Sequence, residues 1–282
     1  MNKKEIGYID VDNDMLEFLK EKFQDITFCD VKKGKQRIYN TIISGYELKE
    51  ELLAFYKIFN INVICLYNST IMNTIDLIKK SIRKKREYIE KELSYIKVIN
   101  KYQHLNEKIE ALVDENNNHS LKVAYTTSLF CERLYLEKDR QLDLYIAALM
   151  HDIGKTFISP EILCKKSKLT NKEFESIKHH SVKGYEFLKG ELPEDVLLMI
   201  KNHHVRENGG YPETKEKVSQ WSKLIALADS YDAMTSKRVY NTPIKKYEAI
   251  NEILLCSTDE NSGGKGILFD PYLTELFIKT IA

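Results

Sequence analysis

Five of the seven histidines in this chain stand in short clusters that also carry acids: Glu115 four residues before His119, the doublet His151-Asp152, His180, and the pair His203-His204, with Asp229 following. Several are attached to apolar stretches, which a fold must bury. Buried imidazoles and carboxylates packed together repel or lose solvation unless something positive sits among them. A group of divalent metal ions is the simplest occupant. The chain is therefore constrained to an architecture that gathers these points, far apart in sequence, around one charged centre.

The amino-terminal part has a different pattern. Residues 1–70 read as a small α/β unit, with strands at 6–11, 26–31, 38–44 and 62–67 and helices at 14–23 and 47–59. Strands that alternate with helices imply a parallel sheet. Asp10 and Asp12 lie near the end of the first strand, and Asn40, Thr41 and Ser44 lie along the third. This order resembles a truncated response-regulator receiver domain. A receiver keeps a magnesium-binding acid pair after its first strand and a phosphorylatable Asp after its third. The second feature is missing here, so the resemblance implies a degenerate, receiver-like dimerisation or sensing module.

Residues 71–112 are charged and contain no Pro or Gly, and they read as a helical linker. Ile75, Ile82, Ile89 and Ile96 recur every seven residues, with Ile78 and Ile99 apolar but Lys85 and Glu92 polar at the companion positions. Such a helix can pair with its copy in a homodimer. The Lys/Arg run over 79–86 is expected to be a solvated helix face.

Composition narrows the class of function. With 43 basic and 42 acidic residues the formal net charge is +1, unlike the strong basic excess of a nucleic-acid-polymer binder. No run reaches the ~18 apolar residues of a membrane span. Five scattered cysteines without a C-x-x-C read as reduced thiols, and the first residues lack a signal-peptide pattern. A cytoplasmic protein is expected.

From 113 to 282 the sequence reads as all-helical. The apolar run 144–150 delivers His151 and Asp152 to the interior, where an Asp needs a counter-charge. Gly154 permits close backbone approach to a ligand, and Lys155 adds a cation suited to a phosphate oxygen. Glu115 and His119 lie one helical turn apart. Thr170-x-x-Glu173 is a capping box for a helix carrying His180. Pro193 opens a helix running through Val196 to His204, on which His203 and His204 point about 100° apart and serve two ions more easily than one. Residues 209–212 read as a loop, and 219–235 as a long helix with Leu224, Leu227 and Tyr231 facing inward. Asp229 sits in its apolar part. Imidazole and carboxylate ligands without thiolates favour iron, manganese, zinc or nickel. Two or three such ions would activate water for phosphodiester hydrolysis.

The run His151-Asp152-Ile153-Gly154-Lys155, His180-x-x-x-Gly184, His203-His204 before Gly210-Tyr211-Pro212, the stretch from Asp229 through Asp232 to Arg238 and Tyr240, and the closing Gly266-Ile-Leu-Phe-Asp270-Pro271 resemble the HD-GYP domain over roughly 110–282. The resemblance implies an all-α metal-dependent phosphohydrolase acting on cyclic di-GMP, with two or three ions, iron or manganese. It implies His119, His151, Asp152, His180, His203, His204 and Asp229 as metal ligands, with Glu115 an additional carboxylate of three-metal members. It gives Lys155 and Arg238 to the substrate phosphates and Tyr211 to the guanine-side loop, and implies a metal-bridging hydroxide as nucleophile beside Asp152 and Lys155. Departures are Val205 where the family has Glu, a loop one residue shorter before Gly-Tyr-Pro, Asn208 for Asp, Val239 for Pro, and Asn241 for a basic residue. These leave open a hybrid cyclic dinucleotide as substrate, and linear pGpG or GMP as product. They also leave open a non-catalytic cyclic dinucleotide-binding module, or a phosphohydrolase of another nucleotide.

Overall fold

A computed structural model of the chain describes residues 4–9, 13–22, 26–30, 41–44, 62–65, 71–113, 118–237, 242–258 and 267–281. Two compact units divide it, Met1–Lys91 and Glu92–Ala282.

The first unit contains β1 (Lys4–Ile9), α1 (Asn13–Lys22), β2 (Ile26–Asp30), β3 (Thr41–Ser44) and β4 (Asn62–Cys65). The strands form one sheet in the order β2-β1-β3-β4, every neighbouring pair parallel. Parallel neighbours require crossover connections, and α1 is one of them. Its Leu16 and Leu19 are buried. Asp10, Asp12, Asn40 and the expected helix at 47–59 lie outside the described residues.

Helix α2 (Ile71–Val113) is a single 43-residue element. Arg83 to Arg86 are exposed, with Arg86 Nε 2.8 Å from Glu90 and Arg83 Nε 3.5 Å from Glu87, as a solvated face should be. Of the heptad isoleucines, Ile89 and Ile96 are exposed, whereas the companion Ile78 is buried.

The division at 91/92 differs from the expected domain start at 113. Tyr95, Val98 and Tyr102 on α2 are buried in the main core of the second unit, and the Tyr95 hydroxyl donates to the Asp143 carboxylate at 2.7 Å. The polar face of 92–113 obscured this in the sequence. Positions 95, 98 and 102 are three and four residues apart, the spacing of one buried stripe of a helix.

The rest of the second unit is helical: α3 (His119–Arg133), α4 (Lys138–Met150), a 3-10 turn (Ile153–Phe157), α5 (Pro160–Leu163), α6 (Asn171–Lys178), α7 (His180–Leu188), α8 (Glu194–Lys201), α9 (Gln220–Thr235), α10 (Lys246–Leu255) and α11 (Pro271–Ile281). Phe130, Leu144, Ile146, Met150, Ile200, Leu224, Ile225 and Phe277 form its centre. Leu224 and Leu227 are buried and Tyr231 packs against the same core, as the inward face of α9 requires. The expected loop at 209–212 is in part a strand: Gly209–Gly210 pairs antiparallel with Val205–Arg206 in a two-stranded ribbon. None of the described helices is long and apolar enough to cross a membrane.

Candidate metal centre

Every described candidate ligand but Asp229 sits at the end of an element or just beyond it, where the backbone can turn a side chain toward the middle. His119 opens α3, His151 caps the C-terminal end of α4, and Asp152 precedes the 3-10 turn. His180 is the first residue of α7; the Thr170–Glu173 capping box belongs to α6, which stops at Lys178. The expected single helix is thus two. Likewise α8 ends at Lys201, so His203 and His204 occupy the turn after it rather than one helix. Their rings lie 4.0 Å apart, which a turn permits and adjacent helical positions would not. Asp229 alone projects from mid-helix, on α9.

The remaining polar atoms fix how these rings face. His151 Nδ1–H donates to the Ala148 carbonyl at 2.7 Å, His180 Nδ1–H to Ile177 at 2.7 Å, and His203 Nδ1–H to Ile200 at 2.6 Å. A carbonyl only accepts, so Nδ1 carries the proton and Nε2 of a neutral ring presents a lone pair. His119 follows the same rule with another partner: its Nδ1 is 2.6 Å from Asp232 Oδ2. Asp232 in turn accepts from Ser236 Oγ at 2.8 Å, and Ser236 from Lys122 Nζ at 2.9 Å.

The Nε2 atoms converge on two carboxylates. His119 Nε2 lies 3.2 Å from Asp229 Oδ1 and 3.6 Å from Asp152 Oδ2. His151 Nε2 is 3.4 Å from Asp152 Oδ2 and 3.9 Å from Asp229 Oδ1. His180 Nε2 is 3.3 Å from Asp152 Oδ1 and also 3.3 Å from His203 Nε2. His151 Nε2 and Asp152 Oδ1 are buried with no hydrogen-bond partner. Three overlapping sets, Asp152/His180/His203/His204, His119/His151/Asp152 and His151/His203/Asp229, each hold their ligand atoms within 4.8 Å of one another. Lone pairs facing lone pairs in a buried space call for cations. The donor set, imidazole nitrogen and carboxylate oxygen without sulfur, fits divalent ions.

The electrostatics agree. Burial alone would raise the Asp152 carboxyl, but the Lys155 ammonium holds it well below the usual range. Asp229 is likewise held down against its burial. Burial first, and neighbouring imidazoles second, push His203 and His204 well below the ordinary histidine value. The carboxylates are therefore ionised and these two rings neutral, the forms that bind metal.

Lys155 Nζ stands 2.5 Å from Asp152 Oδ2. The Tyr211 ring lies 4.5 Å from that of His204, tilted 35°, and the Tyr211 amide donates to the His204 carbonyl. Gly210 makes this possible: its φ is +88°, and a Cβ there would stand 2.2 Å from the His204 carbonyl oxygen. Gly154 has a different role from the expected one. A Cβ on it would fall 1.9 Å from the His180 carbonyl oxygen and 2.5 Å from the Gly184 amide, so the close approach is to α7 and not to a ligand. His104 and His179 are exposed and outside the cluster. Glu115, Arg238 and Gly266 lie outside the described residues.

Four positioning groups escaped the sequence reading. Asp232 could have been found as the residue one helical turn beyond Asp229. Arg206, half-buried, donates to the His203 carbonyl at 2.9 Å. Glu110 accepts the Ser120 amide of α3 at 2.7 Å, and Asn106 donates to the Leu149 carbonyl of α4 at 2.8 Å. Glu110 thus caps the helix that begins with His119, where Asn118 makes no side-chain cap. No sequence signal distinguishes Glu110 or Asn106 from the many polar residues around them.

The comparisons with known proteins bear on this unit. The cyclic di-GMP phosphodiesterase of Thermotoga maritima is 35% identical over 174 residues, 58% of this chain and 44% of that protein. The cyclic di-GMP phosphodiesterase response regulator RpfG of Xanthomonas campestris is 27% identical over 164 residues, 56% of this chain and 41% of that protein. The 3'3'-cGAMP-specific phosphodiesterase 1 of Vibrio cholerae is 34% identical over 137 residues, 47% of this chain and 32% of that protein. The chain thus covers less than half the length of each. Residues 97–259 match the HD domain family, a span that runs from the part of α2 that buries Tyr102 past every described candidate ligand. With that match over more than half its length, the chain belongs to the HD domain family.

Proposed function

We propose that the chain is a metal-dependent phosphodiesterase that hydrolyses cyclic di-GMP to linear pGpG, GMP or both, as an HD-GYP domain would. The observation that carries this reading is the convergence of four Nδ1-anchored imidazoles and two ionised carboxylates on one buried centre. The names of the relatives support the substrate class.

His119, His151, Asp152, His180, His203, His204 and Asp229 would hold the ions, with Glu115 completing a third position. Divalent ions, iron or manganese in this reading, supply an activated water at neutral pH and offset charge on the reacting phosphate. The chain's own residues do the rest. Asp152 contributes oxygens to two of the three ligand sets. Lys155 keeps Asp152 ionised and offers an ammonium to a phosphate oxygen, a task shared with Arg238. Tyr211, stacked beside His204, offers an aromatic face to a base of the dinucleotide. The parallel order β2-β1-β3-β4 supports a degenerate receiver-like regulatory unit.

A hybrid substrate is a second reading, favoured by the similarity to a protein named for 3'3'-cGAMP. One assay separates the readings. The protein, reconstituted with Fe(II) or Mn(II), is given cyclic di-GMP and 3'3'-cGAMP in parallel. Faster formation of linear product from cyclic di-GMP is expected. Preference for the hybrid moves the assignment to the second reading, and binding without cleavage of either overturns both. Asp152→Ala should abolish turnover and lower metal content.

A further inference from the structure

The guanidinium of Arg206 touches three segments at once. Its Nη1 donates to the His203 carbonyl at 2.9 Å, its Nη2 reaches Ser230 Oγ at 3.4 Å, and its plane covers the Phe269 ring at 5.1 Å. His203 is a candidate ligand, and Ser230 directly follows Asp229, another. Phe269 belongs to the segment 267–270 before α11. That segment is itself fixed: Leu268 and Phe269 donate their amides to the Cys256 carbonyl, and the Glu207 amide donates to the Leu268 carbonyl at 3.1 Å.

The placement is electrostatically unhelpful to metal. A cation beside Asp229 competes with the ions that the centre would hold. Its value must lie in geometry. Arg presents several donors in a rigid planar fork and a face that stacks on an aromatic ring; a Lys ammonium offers neither. Arg206 can therefore hold a carbonyl, a hydroxyl and a ring at once, in fixed relative positions.

Building on the metal-centre reading, we propose that Arg206 is a positioning residue that couples the carboxy-terminal segment 267–270 to the ligands His203 and Asp229. The segment then acts as a brace for the centre: with Phe269 in place the fork is held, and with the fork held the His203 turn and the Asp229 end of α9 keep their spacing. Groups that orient metal ligands typically change metal affinity or activity by about 10–100-fold when removed.

The test is a titration of the full chain with Mn(II), reading free Mn(II) by its paramagnetic resonance signal, for the native protein, Arg206→Met, Phe269→Leu, the double variant and Arg206→Lys. Thermal unfolding of each reports folding separately. Arg206→Met should weaken Mn(II) binding by about 10–100-fold, and Phe269→Leu by a smaller factor. The double variant should lose less than the product of the two single losses, since both act through one contact. Arg206→Lys should recover only a minor part of the loss. Native affinity in a folded Arg206→Met, independent losses in the double variant, or full recovery with Lys would each overturn the coupling. Should Arg206→Met not fold, Phe269→Leu and Arg206→Lys still decide the matter. Failure of the native protein to bind Mn(II), or any other divalent ion, would instead overturn the metal-centre reading itself.

Discussion

At the residue scale, the protonation of individual nitrogens governs the centre. Asp232 dictates which nitrogen of His119 faces inward, in the way backbone carbonyls do for His151, His180 and His203. Asp232→Asn keeps the size but loses the anion, and Asn can offer its NH2 to Nδ1 and so leave the proton on Nε2. Metal affinity or turnover is expected to fall about 10–100-fold, with a change in unfolding free energy of only about 1–2 kcal/mol. Native affinity in that variant would remove Asp232 from the site. A second prediction follows from His203 and His204, whose folded values lie well below the ordinary one. The unfolded chain takes up these protons first, near pH 6.5. Their contribution to stability is therefore complete above about pH 6.5 and is lost as the pH falls below it, by up to about 1.4 kcal/mol per pH unit for each ring. Asp152 and Asp229, held down in the fold, lose theirs at lower pH, below about 4 and toward their folded values. The Tm of the metal-free protein should drop between about pH 7.5 and pH 5.5, and a His203→Gln variant should flatten the profile. A flat native profile would contradict the buried neutral rings.

At the element scale, legibility in the sequence depended on whether a signal was local. The capping box at Thr170, the apolar run of α4 and the inward face of α9 are local patterns, and all appear where expected. The ends of α6 and α8 did not. Nothing in Lys178-His179-His180 or Lys201-Asn202-His203 breaks a helix; tertiary placement of the histidines does. Gly154 was legible as a close approach but not as an approach to another helix, because its partners His180 and Gly184 lie 26 and more residues away. Gly154→Ala should force α7 away from the 3-10 turn, at a cost of about 1–3 kcal/mol or more, and should weaken metal binding with it. Denaturant unfolding together with metal titration checks this; a variant native in both would show that the contact is not tight.

At the scale of the whole molecule, the pattern of candidate ligands is visible in the sequence because its residue types are rare together, whereas the buried contacts of 92–113 are not. In the sequence all of 71–112 reads as linker, since its charges are dense and it contains no Pro or Gly. Buried contacts make 92–113 part of the helical unit, and there it also caps α3 and α4 through Glu110 and Asn106. A fragment beginning at residue 92 is expected to fold and bind metal. One beginning at 114 loses Tyr95, Val98 and Tyr102 from the core. At about 1.5–3 kcal/mol for each fully buried side chain, that loss rivals the whole stability of a typical domain, about 5–15 kcal/mol. A cooperative, metal-binding 114–282 fragment would restore the later boundary.

The proposed function has the converging Nε2 and carboxylate lone pairs hold divalent ions that serve hydrolysis of a cyclic dinucleotide. It is tested most directly by metal analysis and cyclic di-GMP hydrolysis on one preparation, native beside Asp152→Ala. The account predicts at least two equivalents of iron or manganese and linear product from the native protein, with fewer equivalents and no product from the variant. A native protein that takes up no divalent ion, or a metal-loaded one that leaves the dinucleotide intact, would contradict it.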